Sequence, residues 1–313
     1  MKTRVWLALV TLYIAWGTTY LAIRYALEGI PPFFLTGTRF LIAGLLLYAW
    51  RRLAGDPAPT PQQWRATGII GLLLLVGGVG GSTLSERFIP SGITALVVAA
   101  MPLWVVLVSV FVSHGQRPGW RSIAGVLVGL VGIVILMEQG AGTGQQAGYS
   151  ILGIGTVLLA GLLWAAGSVY SQHARLPDSP LLSSGMEMLV GSAGSFVMGI
   201  LLGEGQQLNL AAISLRSLAG LGYLIVVGSL VGYVCYTWLL RVAPANLAVT
   251  YAYVNPLVAV LLGSLVAGEQ LTFRALVATP LILVSVALSQ WKGSERREPR
   301  VAQVPVVAQG GKN

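Results

Sequence analysis

Two ionisable residues stand inside long apolar stretches of this chain: Arg39, seven residues past Pro32, and Glu187, seven residues past Pro180. Aligning PFFLTGTR from Pro32 with PLLSSGME from Pro180 puts Gly37 opposite Gly185 and Arg39 opposite Glu187. A charge at depth in a bilayer costs about 2.5–3.5 kcal/mol on insertion scales, so such a residue faces a protein interior or a cavity. The chemistry on offer is anion recognition by a guanidinium and proton exchange or cation recognition by a carboxyl. Arg39 has two other readings, a side chain snorkelling to the interface and a structural pair with Glu86.

Aromatic and polar side chains recur four residues apart around these charges: Trp16 with Tyr20, Trp164 with Ser168, and Tyr251 with Asn255. That spacing places each pair on one helix face. Singly, each ring also reads as packing or as an interface anchor; as a set, with Met101, they mix ring surface with hydroxyl and amide groups as a small-molecule site does. Pro102 and Pro256 each remove a backbone donor and free a carbonyl one turn earlier, which makes them gating candidates together with Glu187 and Glu86. Enzymatic readings fare poorly. His114 and His173 fall in connections with no acidic partner at metal or triad spacing, so no metal and no cofactor is expected. The single cysteine, Cys235, lies in an apolar run. GGVGG at 77–81 lacks the Lys-Ser/Thr of a phosphate loop and reads as a helix-packing segment.

The elements that must position these residues are membrane helices. Of 313 residues, 55% are apolar and only 9% charged, against roughly 25% charged in a soluble domain. Ten apolar segments can be marked: 5–23, 33–50, 66–84, 93–112 and 120–137 in the first half, and 151–171, 181–202, 218–240, 247–267 and 273–291 in the second. Each is about long enough to cross a ~30 Å hydrocarbon core. The first follows Lys2 and Arg4 as a signal peptide would, but no small-residue cleavage site follows it, and it is expected to be a retained span. The chain is also a duplication. Pro90 to Pro102 and Pro244 to Pro256 have the same spacing, and the offset of 154 (244 − 90) also pairs Gly68 with Gly222, Gly78 with Gly232 and Arg87 with Arg241.

The net charge of +9 would suggest nucleic acid in a soluble protein, but its distribution assigns it to orientation. Fourteen of the 19 Lys and Arg fall in the amino terminus, the even-numbered connections and the tail; Arg24, Arg87, Arg216 and Arg274 fall in the alternate connections, and Arg39 in a span. The positive-inside rule then puts both termini in the cytoplasm, with weak attraction to anionic membrane lipid and no nucleic-acid partner. Five spans per half is an odd number, so the second copy enters from the opposite face. The fold class expected is an all-α membrane protein of ten transmembrane helices in two inverted five-helix repeats, residues 1–140 and 148–291, with a disordered cytoplasmic tail at 292–313. Inverted repeats are a recurrent architecture of alternating-access transporters, with the site near the midplane.

WGTTYLAIR at the end of the first segment, the Arg39-Phe40 pair, the two prolines and GEQLT at 268–272 together resemble the EamA-type drug/metabolite transporter superfamily. The stretch VTYAYVNPLVAVLLG resembles YedA-like exporters within it. The resemblance covers roughly residues 5–291 and implies a ten-helix bundle, a central cavity, and efflux of small metabolites or amphipathic compounds from the inner membrane. His114-Gly115 stand where the family carries Gly-Glu, so only Glu269 keeps that acid. The reading reached is a secondary transporter that exports small organic solutes such as amino acids, with proton coupling and an uncoupled facilitator as the alternatives for its energetics. With Cys235 replaced, single cysteines within 140–146 should label only from outside and those within 56–60 only from inside; labelling of both from one face would rule out the inverted arrangement.

Overall fold

The computed structural model describes residues 2–99, 101–112, 120–137, 150–243, 248, 250–268 and 273–290. Among them the chain is helical, without strands. The helices are α1 (Lys2–Ala26), α2 (Pro32–Leu53), α3 (Pro61–Ser85), α4 (Ser91–Val98), α5 (Met101–Val112), α6 (Trp120–Met137), α7 (Ile151–Ser171), α8 (Pro180–Leu201), a short α9 (Glu204–Gln207), α10 (Leu215–Val242), α11 (Tyr251–Ala267) and α12 (Phe273–Gln290). Six of them, α1, α2, α3, α7, α8 and α10, are long and apolar enough to cross a membrane. Pro102 lies in α5, which follows α4 and Ala99. Pro256 is the sixth residue of α11. The side chains of both prolines lie outside the described part, as do His114, Glu269 and the tail.

α2 and α8 show how local sequence sets an element and its partner. Each is 22 residues long and opens on a proline at its first helical position, where the fixed φ suits a helix. Each is followed by a glycine in the left-handed region, Gly55 at φ 97° and Gly203 at φ 73°, a conformation glycine adopts without a Cβ penalty. An acid follows each glycine. Pro32 with Pro180, Gly55 with Gly203 and Asp56 with Glu204 all stand 148 apart (180 − 32, 203 − 55, 204 − 56). The two helices pack antiparallel. Gly37 abuts the ring of Phe196, Gly185 abuts the backbone of Tyr48, and Gly44 meets Met188 between them, each leaving no room for a Cβ without displacement. Shifting Gly37 and Tyr48 by the same 148 residues gives Gly185 and Phe196, so exchanging the halves exchanges the two contacts.

The acids close the ends of this pair. Pro31 gives α2 no capping side chain, and the first N–H groups of a helix have no partner inside it. Glu204, 2% exposed, takes that role from the other half: both its oxygens accept from the N–H of Phe33, at 3.2 and 3.0 Å, and Oε2 also accepts from Phe34 at 3.0 Å. At the other end Ser179 caps α8 by accepting from Leu182. Arg51, with Nε at 2.9 Å, and then Ser179 hydrogen-bond the Asp56 carboxyl and hold it below the usual carboxylate range.

The remaining helices pair in the same exchanged manner. α1 packs on α10 and α11 while α7 packs on α3, α4 and α5, and α6 lies against α12. α3 and α10 each contain a π-helical run, Leu72–Gly80 and Leu224–Tyr233, which departs from regular helix and often marks functional positions. Replacing Glu204 by Ala strands the buried N–H of Phe33 and the partly buried N–H of Phe34, a loss of about 1–3 kcal/mol. Thermal unfolding in detergent should show the Glu204→Ala midpoint clearly below wild type and Glu204→Gln, which keeps one acceptor oxygen, between them; equal midpoints would remove the capping role.

Candidate functional site

One face of α1 carries Trp16, Thr19, Tyr20 and Ile23 at helical spacing, and all four line a cavity in the bundle. α2 adds Arg39 and Phe40, α3 adds Gly78, Val79 and Ser82, and Val98, Met101, Gly161, Trp164, Gly228, Tyr233, Tyr251 and Asn255 complete the wall. The cavity leaves about 80 Å³ for the centres of water-sized molecules, several times the roughly 10–15 Å³ that one water needs. Of the residues singled out from sequence, Trp16, Tyr20, Arg39, Met101, Trp164, Tyr251 and Asn255 meet here.

The rings form a cluster with specific geometry. Trp16 meets Trp164 and Tyr251 edge-on at centroid distances of 5.5 and 4.9 Å, and Tyr236 lies 5.1 Å from Trp16 and 5.8 Å from Tyr251. Edge-to-face contacts of this kind are favourable beyond their area. The polar tips are used. Trp16 Nε1 donates to the Gly228 carbonyl at 3.2 Å, Trp164 Nε1 donates to Tyr236 Oη at 3.2 Å, and Tyr251 Oη donates to Met101 Sδ at 3.4 Å. With its amide nitrogen turned to the acceptors, Asn255 donates to the carbonyls of Tyr13 and Tyr251, both at 3.2 Å.

Arg39 is 5% exposed, so its head stays inside the protein instead of snorkelling. Its Nε donates to Ser229 Oγ at 3.0 Å and its Cζ lies 4.6 Å from the Phe40 ring centroid. The ion pairs found among the described residues, Arg51–Asp56 and Arg216–Glu28, do not involve it. The guanidinium therefore reaches the cavity wall with a neutral hydroxyl and a ring as company, an arrangement suited to an anionic group, since a planar fork can bind a carboxylate through two parallel hydrogen bonds.

The other sequence candidates lie elsewhere. Ser168 sits behind the wall, donating to the Trp164 carbonyl at 2.8 Å and hydrogen-bonded to Tyr236 Oη at 2.9 Å. Glu86 is buried at the end of α3, where its carbonyl accepts from Arg24 Nη1 at 3.2 Å. Glu187, 2% exposed, lines a second, smaller cavity with Ile70, Leu74, Ser183, Thr237 and Arg241. Its Oε1 accepts from Ser183 Oγ at 2.9 Å and its Oε2 from Tyr233 Oη at 2.6 Å. Tyr233, Tyr236 and Ser229 were not singled out from sequence. The signal available for them was a hydroxyl-bearing set at four- and three-residue spacing inside an otherwise apolar run.

Glycines on α10 make this approach possible. A Cβ at Gly228 would come within 2.8 Å of Arg39 Nη2, and one at Gly232 would collide with the Trp16 indole at Nε1.

Compared with known proteins, residues 3–138 and 151–291 both match the EamA-like transporter family. The uncharacterized inner membrane transporter YedA of Escherichia coli is 37% identical over 284 residues, which is 90% of this chain and 89% of that protein. A Salmonella typhimurium protein described as a probable amino-acid metabolite efflux pump is 27% identical, over 92% of this chain and 95% of its own. A crystal structure with 24% identity covers 92% of this chain and 96% of its own with a TM-score of 0.63, a likeness of fold.

The close approach at Gly232 has a measurable consequence. Gly232→Ala should destabilise the protein by about 1–3 kcal/mol through overpacking against Trp16, whereas Gly222→Ala, on the same helix with nothing within 4 Å of the added carbon, should be neutral or slightly stabilising. Equal thermal midpoints for the two variants would contradict the packing described.

Proposed function

We propose a function from an established premise: this chain belongs to the EamA-like transporter family and is a multi-pass membrane transporter. The proposed activity is export of small organic metabolites, amino acids or related amphipathic compounds first among them, by alternating access across the inner membrane. One observation carries this reading. Arg39, buried and directed to a ring-lined cavity with Ser229 and Phe40 as its contacts, suits a ligand with a carboxylate and an apolar body. The aromatic cluster supplies the apolar surface, and Asn255 and Tyr20 supply polar atoms at the wall. The relative described as a probable amino-acid metabolite efflux pump is in keeping with this class of ligand.

The topology that goes with this function is ten spans in two inverted repeats, residues 1–140 and 148–291, with both termini in the cytoplasm. The antiparallel packing of α2 on α8, with contacts that exchange when the halves exchange, supports the inversion. So does the separation of Arg39 and Glu187 into different cavities from matching register. Glu187 is proposed as the proton-exchanging group, on the strength of a buried carboxyl that two hydroxyls address in a cavity of its own. Pro102, Pro256 and Glu86 keep a proposed part in gating, and Ser168 one in supporting the wall through Tyr236.

Purified protein in liposomes, given a panel of amino acids and aromatic carboxylates with and without a pH gradient, tests the whole reading. Arg39→Lys keeps the charge but loses the planar fork, and should lower flux about tenfold or more, the equivalent of about 1.4 kcal/mol, at unchanged membrane abundance. Glu86→Gln must be tested alongside to exclude an effect through that acid. Glu187→Gln should fold and insert yet flatten the pH dependence of flux. Flux indifferent to the gradient in wild type would favour the uncoupled facilitator, and wild-type flux in Arg39→Lys would remove Arg39 from the binding site.

A further inference from the structure

We propose that Tyr233 is the partition between the two cavities, and that its hydrogen bond to Glu187 is the contact that holds the partition shut. The proposal deepens the transport reading of the central cavity and rests on it. Tyr233 is buried, its ring lines the central cavity, and the ring packs at 6.4 Å on Phe40, the residue beneath the Arg39 guanidinium. Its hydroxyl points away from that group of residues and donates to Glu187, which lines the second cavity. The described linings of the two cavities share no residue, and the side chain of Tyr233 bridges from one to the other.

Tyr236, three residues further along α10, completes the layer. Its hydroxyl is held by Trp164 and Ser168 of α7, as Tyr233 is held by Glu187 of α8. The tethers differ in kind. Tyr236 is held by neutral groups, one of them a ring of its own cluster, whereas Tyr233 is held by a buried carboxyl at 2.6 Å. Around Glu187, α10 presents Tyr233 and Arg241, with Arg241 Nη1 occupied by the carbonyls of Pro177 and Asp178 at 2.9 and 3.0 Å. α3 presents Ile70, Leu74 and the close-packed Gly71, and α2 brings Leu47 and Tyr48 against Gly185. The carboxyl thus has Ser183 on its own helix and Tyr233 opposite.

The position of Tyr233 in the helix gives the latch its reach. It ends the π-helical run of α10, and the same run supplies Ser229 to Arg39 and the Gly228 carbonyl to Trp16. Releasing Tyr233 therefore loosens the segment that positions two residues of the central cavity, so that opening toward the Glu187 side and loss of the anion contact are expected together.

Accessibility reads the partition without any solute, so its outcome is separate from that of the flux assay. Cys235, the single cysteine, is first replaced by serine, and Ser82 of the cavity wall by cysteine. A charged, membrane-impermeant thiol reagent is then applied to each face in right-side-out and inside-out vesicles. With Tyr233 intact, Ser82→Cys should react from one face only. Tyr233→Phe keeps the ring and deletes the hydroxyl, and Glu187→Leu deletes the acceptor. Each should raise the labelling rate from the second face about tenfold or more, and the double variant should exceed neither, as expected when two residues act through one contact. One-sided labelling at the parent rate in both variants, or two-sided labelling in the parent, would overturn the proposal; if one variant fails to reach the membrane, the other decides.

Discussion

The antiparallel pairing of α2 with α8 is the contact on which the rest of the arrangement depends. Lipid gives helices no hydrophobic reason to associate, so close approach at small residues and satisfied polar groups must hold them together. Gly37, Gly44 and Gly185 provide the approach, and Glu204 and Asp56 settle the two ends, one by taking backbone N–H groups directly and the other through Ser179. Because the helices run in opposite directions, residues in the same register arrive at opposite ends of the pair. Arg39 and Glu187, matched in sequence, therefore line different cavities.

Duplication gave both halves the same frame but not the same chemistry. Each half has a π-helical run in its third long helix. In α3 that run is Leu72–Gly80, in which Gly77 and Gly78 lie against Leu163 and Trp164 of α7 and Gly80 against Phe33 of α2. In α10 the corresponding run carries Ser229 and Tyr233, where the 154-residue offset finds Leu75 and Val79 in the first half. Hydroxyls at these positions give Arg39 and Glu187 their partners, and Gly228 and Gly232 let Trp16 and Arg39 come close enough to be held. The first copy lines the central cavity with Gly78, Val79 and Ser82, while the second supplies the hydroxyl partners.

The aromatic cluster is the other product of this asymmetry. Trp16, Trp164, Tyr236 and Tyr251 come from four helices, and the polar tip of each is occupied. A ring with a satisfied polar tip is fixed in orientation, so the cluster gives the cavity a preformed apolar wall.

Much of this was legible in the sequence because it is set locally. Low charge and long apolar segments made the chain a membrane protein. The apolar segments at 33–50 and 181–202 match α2 and α8 to within a few residues at each end, and the offset between copies revealed the duplication. Burial of Arg39 and Glu187 followed from the cost of charge in lipid, and four-residue spacing found Trp16, Tyr20, Tyr251 and Asn255, which share a face and a cavity. The same spacing could not tell that Ser168 turns to Tyr236 behind the wall, since periodicity specifies a face and not what that face meets. The contacts that decide the site join residues far apart: Tyr233 to Glu187 across 46 positions, Phe33 to Glu204 across 171, and Trp16 to Gly228 across 212. They depend on which helices pack together and how closely their glycines allow it, and that is fixed only when the whole bundle has formed.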